Sequence, residues 1–257
     1  MFLLAAVVAV HGQKRKPKTV KKTPSPVVKS TPAPEPTPAV EQAVKKNERP
    51  KDGSGDQNSS ASKLYTPNYF YEFNRPGFDI PRILIEHDEA GRGNISFQKD
   101  GSDQMITDPI ALSAVAMTKL RDTLNALNFL DSTENYQYVK DYSHLGNVTI
   151  TVKRDGKTRT VKYNWTENKG ALALMTYYRG IANEYIWKFD ISVARQNQPL
   201  LTPELMDRIV DYVSRGEIAD PAAMIPFLTE LSTDERMPLI ARNRAAKLIQ
   251  TIEKAKK

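Results

Sequence analysis

Apolar and polar residues alternate in two neighbouring stretches of the chain. Residues 83–85 and 95–97 carry isoleucine or phenylalanine at every second position, and the polar, glycine-containing residues 88–93 lie between them. A period of two is typical of strands with one buried face, so the pattern predicts a β-hairpin with a loop. The aromatic residues 65–73 precede it and predict an edge strand or a segment that covers the sheet.

A second hairpin is predicted further along the chain. Valine and isoleucine alternate with polar residues over residues 148–152, and residues 159–163 return. Asp155-Gly156 between them is typical of a two-residue type I′ turn, in which both positions need positive φ. Each hairpin pairs with itself, which favours antiparallel pairing.

Apolar residues at helical spacing predict two longer helices. The first lies between the hairpins and begins at Asp108-Pro109 or at Ser113, both typical of helix starts. The second follows the second hairpin and keeps one apolar face to about Val193. The two faces consist of Met117, Leu120, Leu124 and Leu127, and of Leu174, Tyr177, Tyr178, Ile181 and Tyr185.

Three short amphipathic helices are predicted at the C-terminal end. Thr-Pro at residues 202–203 and Asp-Pro at residues 220–221 are typical helix starts, and residues 232–235 (STDE) predict a capping box for the third helix. Short helices with proline at their starts are similar to half-repeats of a HEAT-type solenoid. About one and a half such units fit, fewer than the roughly three that a free-standing array needs. We therefore expect the helices to pack on the preceding part.

The order strands, helix, strands, helix predicts an α+β fold. We expect a mainly antiparallel sheet of two hairpins packed by two longer helices, followed by a C-terminal three-helix HEAT-like segment. Residues 64–199 would then be the α+β domain, and residues 200–257 the helical segment packed on it.

Residues 2–10 are nine consecutive apolar residues. A membrane-spanning helix needs about 20, whereas the core of a signal peptide needs about 7 to 15. We predict a signal peptide over residues 1–12, cleaved before Gln13, and an exported protein that is periplasmic or secreted in a bacterium. The positively charged segment that precedes such a core is missing, which indicates a true start upstream of Met1.

The excess positive charge of the chain lies in one segment. Residues 13–63 hold eight prolines and no aromatic residue, and their 12 Lys and Arg against 5 Asp and Glu give a net charge of +7. Residues 64–257 hold 25 of each sign. The composition predicts a disordered, basic, Pro-rich tether that contacts an anionic polymer or a membrane surface. The neutral remainder argues against specific nucleic-acid binding.

The composition also excludes several kinds of site. The chain has no cysteine, so disulfides, thiolate metal sites, a catalytic thiol and a lipidated cysteine are excluded. We find no P-loop, dinucleotide fingerprint, Gly-x-Ser-x-Gly or paired-histidine motif. No catalytic residue is assigned and no cofactor is predicted.

Glu86-His87-Asp88-Glu89 is the densest cluster of groups that could bind a metal or transfer a proton. The pattern favours a strand end, with His87 on the face of Ile83 and Ile85, followed by a solvated acidic loop. Calcium or zinc binding by His87, Asp88 and Glu89 is the alternative.

Three cations on the last predicted helix are candidates for partner binding. Arg242, Arg244 and Lys247 are expected to flank an open end of the helical stack. Their charge favours an acidic groove of a protein in the envelope, or self-association. The sequence leaves the oligomeric state open.

Four stretches of the region from residue 64 onward carry a family resemblance, namely residues 87–93 (HDEAGRG), 127–138 (LNFLDSTENYQY), 142–149 (YSHLGNVT) and 238–249 (PLIARNRAAKLI). Through these stretches the region resembles an uncharacterised family of signal-peptide-bearing bacterial proteins, found chiefly in soil bacteria. The resemblance implies no activity.

Our hypothesis for the function is a non-catalytic envelope protein that binds or scaffolds a partner. The alternative is a hydrolase of an envelope polymer with Glu86, Asp88 or Glu89 as acid or base.

Overall fold

Six strands form one antiparallel sheet in the computed structural model, which describes residues 65–255. The predicted signal peptide and tether lie outside the described residues. The order across the sheet is β4-β3-β2-β1-β5-β6. The strands are β1 (Tyr69–Asn74), β2 (Arg82–His87), β3 (Arg92–Gln98), β4 (Met105–Ala111), β5 (Asn147–Arg154) and β6 (Lys157–Tyr163).

Within residues 65–255, five α-helices and three short 3₁₀ helices complete the fold. The fold class is therefore α+β, as predicted. The α-helices are α1 (Ala114–Ala126), α2 (Lys169–Asn197), α3 (Thr202–Ser214), α4 (Ile225–Thr233) and α5 (Leu239–Ala255), and the 3₁₀ helices are Ser143–Leu145, Pro199–Leu201 and Pro221–Met224.

Both predicted hairpins are confirmed. In the first, Ile85 of β2 lies opposite Ile95 of β3. In the second, Asp155 and Gly156 join β5 to β6 with φ of 52° and 74°, the positive values that the turn requires. The two hairpins thus follow from local pattern alone.

The aromatic segment before the first hairpin is an interior strand, and the prediction of an edge strand or cover was wrong. β1 pairs antiparallel with β2 on one side and with β5 on the other, so it joins the two hairpins. Its alternate residues Tyr69, Tyr71 and Phe73 are all buried on one face. The partner β5 is distant in the chain, and such a pairing leaves no local signal.

Of the two predicted starts for the first helix, Ser113 is confirmed and Asp108-Pro109 is wrong. The Ser113 hydroxyl accepts the backbone N–H of Ala116 at 3.0 Å and caps α1. Asp108 and Pro109 lie instead in β4, at the edge of the sheet. An edge strand tolerates proline because its missing N–H need not pair with a neighbour.

The predicted capping box before the last helix was also wrong. Ser232 and Thr233 are still part of α4, and α5 begins only at Leu239. Asp234 instead accepts the N–H of Arg236 at 3.1 Å, within the turn between the helices. Pro238 lies directly before α5, and its backbone oxygen accepts the N–H groups of Ala241 and Arg242. The likeness to HEAT repeats stays a prediction.

Helix α2 belongs to two hydrophobic cores. Its first half packs with α1 on the buried face of the sheet, and we call this the sheet core. Its second half, including Trp187 and Ile191, packs with α3, α4 and α5, and we call this the helical core. Gly180 lies near the change-over, where a Cβ would stand only 2.7 Å from the backbone nitrogen of Ala219. The absence of a side chain lets the residues before Pro221 approach α2.

Candidate functional site

His87 ends β2 and is fully enclosed in the sheet core, on the face predicted for it. Its ring stacks on Tyr69, with centroids 4.7 Å apart. Nδ1 lies 3.0 Å from the backbone oxygen of Asp88, and Nε2 lies 3.2 Å from the hydroxyl of Tyr178. A carbonyl oxygen only accepts, so Nδ1 carries the proton and Nε2 accepts from Tyr178.

Burial lowers the pKa of His87 to about 4, against the weaker opposing effect of its hydrogen bond to Asp88. The ring is therefore neutral near pH 7. Both ring nitrogens are engaged within the protein, which leaves neither one for a metal ion or a substrate.

The Asp88 carboxylate holds the turn between β2 and β3. One oxygen accepts the backbone N–H groups of Ala90 and Arg92, each at 2.9 Å, and the other contacts the Arg92 guanidinium at 2.9 Å. Burial opposes ionisation, but the hydrogen bonds and charge of Arg92 outweigh it and lower the pKa of Asp88. Asp88 is 7% exposed, so the expected solvated acidic loop was wrong for this residue.

The neighbouring glutamates point to different parts of the fold. Glu89 accepts the hydroxyl of Tyr69 at 2.7 Å, and Glu86 accepts that of Tyr65 at 3.1 Å. Alternation along β2 places Glu86 on the face opposite His87. Within residues 65–255, no group of three His, Cys, Asp or Glu residues is placed to hold a metal ion. The four residues of the cluster therefore do not converge.

An open groove of about 600 Å³ lies between α3, α5 and the 3₁₀ helix that precedes α4. We call it the α3–α5 groove. Its apolar lining includes Val210 and Val213 of α3 and Leu248 and Ile252 of α5. Charged residues also line it, namely Asp207, Asp220, Arg244 and Lys247.

The structure brings two of the three predicted cations to this groove. The guanidinium of Arg244 lies 2.9 Å from the Asp207 carboxylate and donates to the backbone oxygen of Pro203 at 2.8 Å, so it ties α5 to α3. Lys247 is exposed and forms no ion pair with another described residue. Arg242 does not line the groove. At 100° per residue it lies about 160° around the helix from Arg244, a separation that the helical period could have shown.

A larger concavity of about 770 Å³ lies between β1, β2, α2 and α3, and we call it the sheet–helix cleft. Sequence reasoning missed it. Its cations are Lys99, Arg179 and Arg208, from three separate parts of the chain. The only sequence signal for this cleft is a polar stripe on α2, where Arg179, Asn183 and Asp190 recur at helical spacing and therefore share one face.

Comparison with protein-family models and with curated proteins finds no match to this chain. The resemblance to a family of exported bacterial proteins therefore stays a prediction. Over residues 65–255, no helix is both long enough and apolar enough to cross a membrane.

Proposed function

We propose that this chain is a non-catalytic, exported protein of a bacterial envelope, and that it binds a partner protein through the α3–α5 groove. The observation that supports this most directly is the apolar lining of an open groove between two helices. Such a groove suits one helix of a partner, which lays its own apolar face between the flanking helices.

The charges of the groove favour an acidic partner helix. Asp207 is neutralised by Arg244 at 2.9 Å, and Asp220 accepts both the Ser113 hydroxyl and the N–H of Ala222. Lys247 has no such partner among the described residues. A glutamate or aspartate on the partner would meet this charge and fix the direction of the bound helix.

A non-catalytic role is supported by the engagement of the acid and base candidates. Asp88 is bound by two N–H groups and a guanidinium, and Glu86 and Glu89 each accept a tyrosine hydroxyl. A carboxyl group that serves as general acid or base must lie within hydrogen-bond reach of the bound substrate. In our proposal the signal peptide exports the protein and the tether of residues 13–63 contacts an anionic polymer or membrane surface.

Site-specific photocrosslinking in the producing cell tests the proposal. A photoreactive residue in place of Thr251, which lines the groove, should capture one defined protein. Val213→Glu should abolish the capture, and Lys247→Glu should weaken it. Lys254→Glu is the matched control, because Lys254 is exposed on the same helix but does not line the groove.

The variants must first show the thermal midpoint of the parent protein. Capture that persists in a folded Val213→Glu variant would contradict a partner in the groove. Turnover of a purified envelope polymer by the protein would favour the hydrolase instead.

A further inference from the structure

The sheet–helix cleft has the size of a small-molecule site. Its volume of about 770 Å³ falls within the range of about 300–1,000 Å³ that is typical of ligand pockets. One wall is the buried face of the sheet, represented by Tyr71 and Ile83, and the other is a stripe of α2. It lies apart from the α3–α5 groove, since no residue lines both.

One part of the cleft is apolar and open to solvent. Phe78, on the loop between β1 and β2, is 40% exposed although it lines the cleft. Its ring lies 6.1 Å from that of Phe73, and Ile80, Ile83 and Ile186 continue the apolar surface. An exposed aromatic ring beside partly buried isoleucines offers contact to the hydrocarbon part of a ligand.

The charged side chains in the cleft leave an excess of positive charge. Lys99 lies 2.6 Å and Arg208 3.6 Å from the Asp190 carboxylate, so these three groups are linked. Arg208 also lies 4.0 Å from Glu204, outside the cleft. With Asp79, the lining holds three cations and two anions, a net charge of +1.

Arg179 is the cation of the cleft that has no counter-charge. It is exposed, and it forms no ion pair or hydrogen bond with the residues that the structure describes. A guanidinium presents a planar set of donors that suits a carboxylate or phosphate group. Arg179 is thus placed to bind the anionic end of a ligand.

Tyr71 adds a neutral donor near Arg179. Its ring is buried and stacks on Tyr178, with centroids 4.9 Å apart, while the residue lines the cleft. Burial raises the pKa of the Tyr71 hydroxyl, and the positive charge of Arg179 opposes this only in part. The hydroxyl therefore keeps its proton, and it makes no hydrogen bond within residues 65–255.

We propose that the sheet–helix cleft binds a small amphiphilic anion. The carboxylate or phosphate end of the ligand contacts Arg179 and Tyr71, and its apolar body lies against Phe78 and the isoleucines. This binding is separate from the partner docking proposed above. It adds a ligand to a protein for which no cofactor was predicted.

Isothermal titration calorimetry of the full chain with three 12-carbon probes tests the proposal. Dodecanoate and dodecyl phosphate carry the anionic group, and dodecanol lacks it, each used below the concentration at which it aggregates. We expect saturable 1:1 binding of at least one anion, and at least tenfold weaker binding of dodecanol. Binding of only one anion would identify the preferred end group.

Two variants and two controls locate the site. Arg179→Gln should weaken binding of the anion at least tenfold, and Phe78→Ala should weaken it through lost apolar contact. Lys169→Gln removes an exposed cation from the start of the same helix, away from the cleft, and should leave affinity unchanged. Val213→Glu in the α3–α5 groove should also leave it unchanged, so the two proposals fail separately.

The proposal is overturned if neither anion binds or if dodecanol binds as tightly as both. Equal affinity of the parent protein and the folded Arg179→Gln variant would overturn it as well.

Discussion

The sheet core and the helical core share α2 but bury different chemistry. The sheet core encloses aromatic rings that carry polar atoms, and some of these atoms form directional hydrogen bonds: Tyr163 donates to the backbone oxygen of Ala171 at 2.7 Å, and Tyr178 donates to His87 at 3.2 Å. The helical core is built mainly from Met, Leu, Ile and Ala side chains. Hydrogen bonds specify one arrangement, whereas aliphatic packing mainly needs volume to be filled. We therefore expect the stability of the sheet core to depend on pH, and the stability of the helical core to depend on the helices that cover it.

Removal of the C-terminal helices should have the largest effect. A chain ending at Pro199 loses the surfaces that cover Trp187 and Ile191, and the Trp187 indole loses its acceptor, the backbone oxygen of Leu205 at 2.8 Å. We expect a poorly soluble or molten protein without cooperative melting, measured by near-ultraviolet circular dichroism. A well-folded, monomeric product would show that the two cores are independent modules.

Acid should destabilise the sheet core through His87. Its pKa is about 4 in the folded protein and 6.5 in an unfolded chain, so the unfolded chain binds more protons between these values. Stability is therefore full above about pH 6.5 and is lost as the pH falls towards 4, by about 3 kcal/mol from this residue.

Urea unfolding at pH 7 and pH 4 measures the effect of His87. His87→Gln is expected to lose about 3 kcal/mol less than the parent protein between the two pH values, whatever its stability at pH 7. His144→Gln, which changes an exposed histidine, is the control and should follow the parent. Equal losses in all three proteins would show that His87 is not held neutral.

Asp88→Asn should cost about 1–3 kcal/mol at pH 7, because the amide oxygen can still accept the two N–H groups but an amide NH2 would face the Arg92 guanidinium in place of its partner oxygen. A solvated acidic loop, as the sequence predicted, would instead give a change in stability close to zero. Asp103→Asn, in an exposed loop, should change stability by less than about 0.5 kcal/mol. Denaturant midpoints compare the two variants, and equal midpoints would mean that the turn does not depend on Asp88.

The smallest effect is expected for the ion pair between Arg244 and Asp207. Both side chains are partly exposed, at 32% and 57%, so solvent weakens their attraction. A double-mutant cycle with Arg244→Met and Asp207→Asn should give a coupling free energy below about 1 kcal/mol. A coupling of several kcal/mol would mean that one polar contact holds α5 on α3, contrary to the contrast between the cores.

Sequence reasoning succeeded where the determining contacts are local. The turn at Asp155-Gly156 and the cap at Ser113 each depend on residues a few positions apart, and both are confirmed. The place of β1 depends on a distant strand, and the burial of Asp88 depends on how the turn folds onto the sheet. No short sequence pattern predicts the position of β1 or the burial of Asp88.

The candidate sites show the same limit. The prediction for the α3–α5 groove used the cations of a single helix. It correctly included Arg244 and Lys247, but it also included Arg242, which lies on another side of α5. The sheet–helix cleft combines residues from Tyr71 to Tyr212, so it exists only after the sheet, α2 and α3 have come together.

The interior position of β1 also has a consequence for the rate of folding. Tyr69 pairs with His87 within one local hairpin, but on its other edge it pairs with Val152, 83 residues further along the chain. Contacts between distant residues form slowly, because the intervening chain must first lose much of its freedom. The two hairpins can form early and independently, whereas their union across β1 is the step that we expect to limit folding.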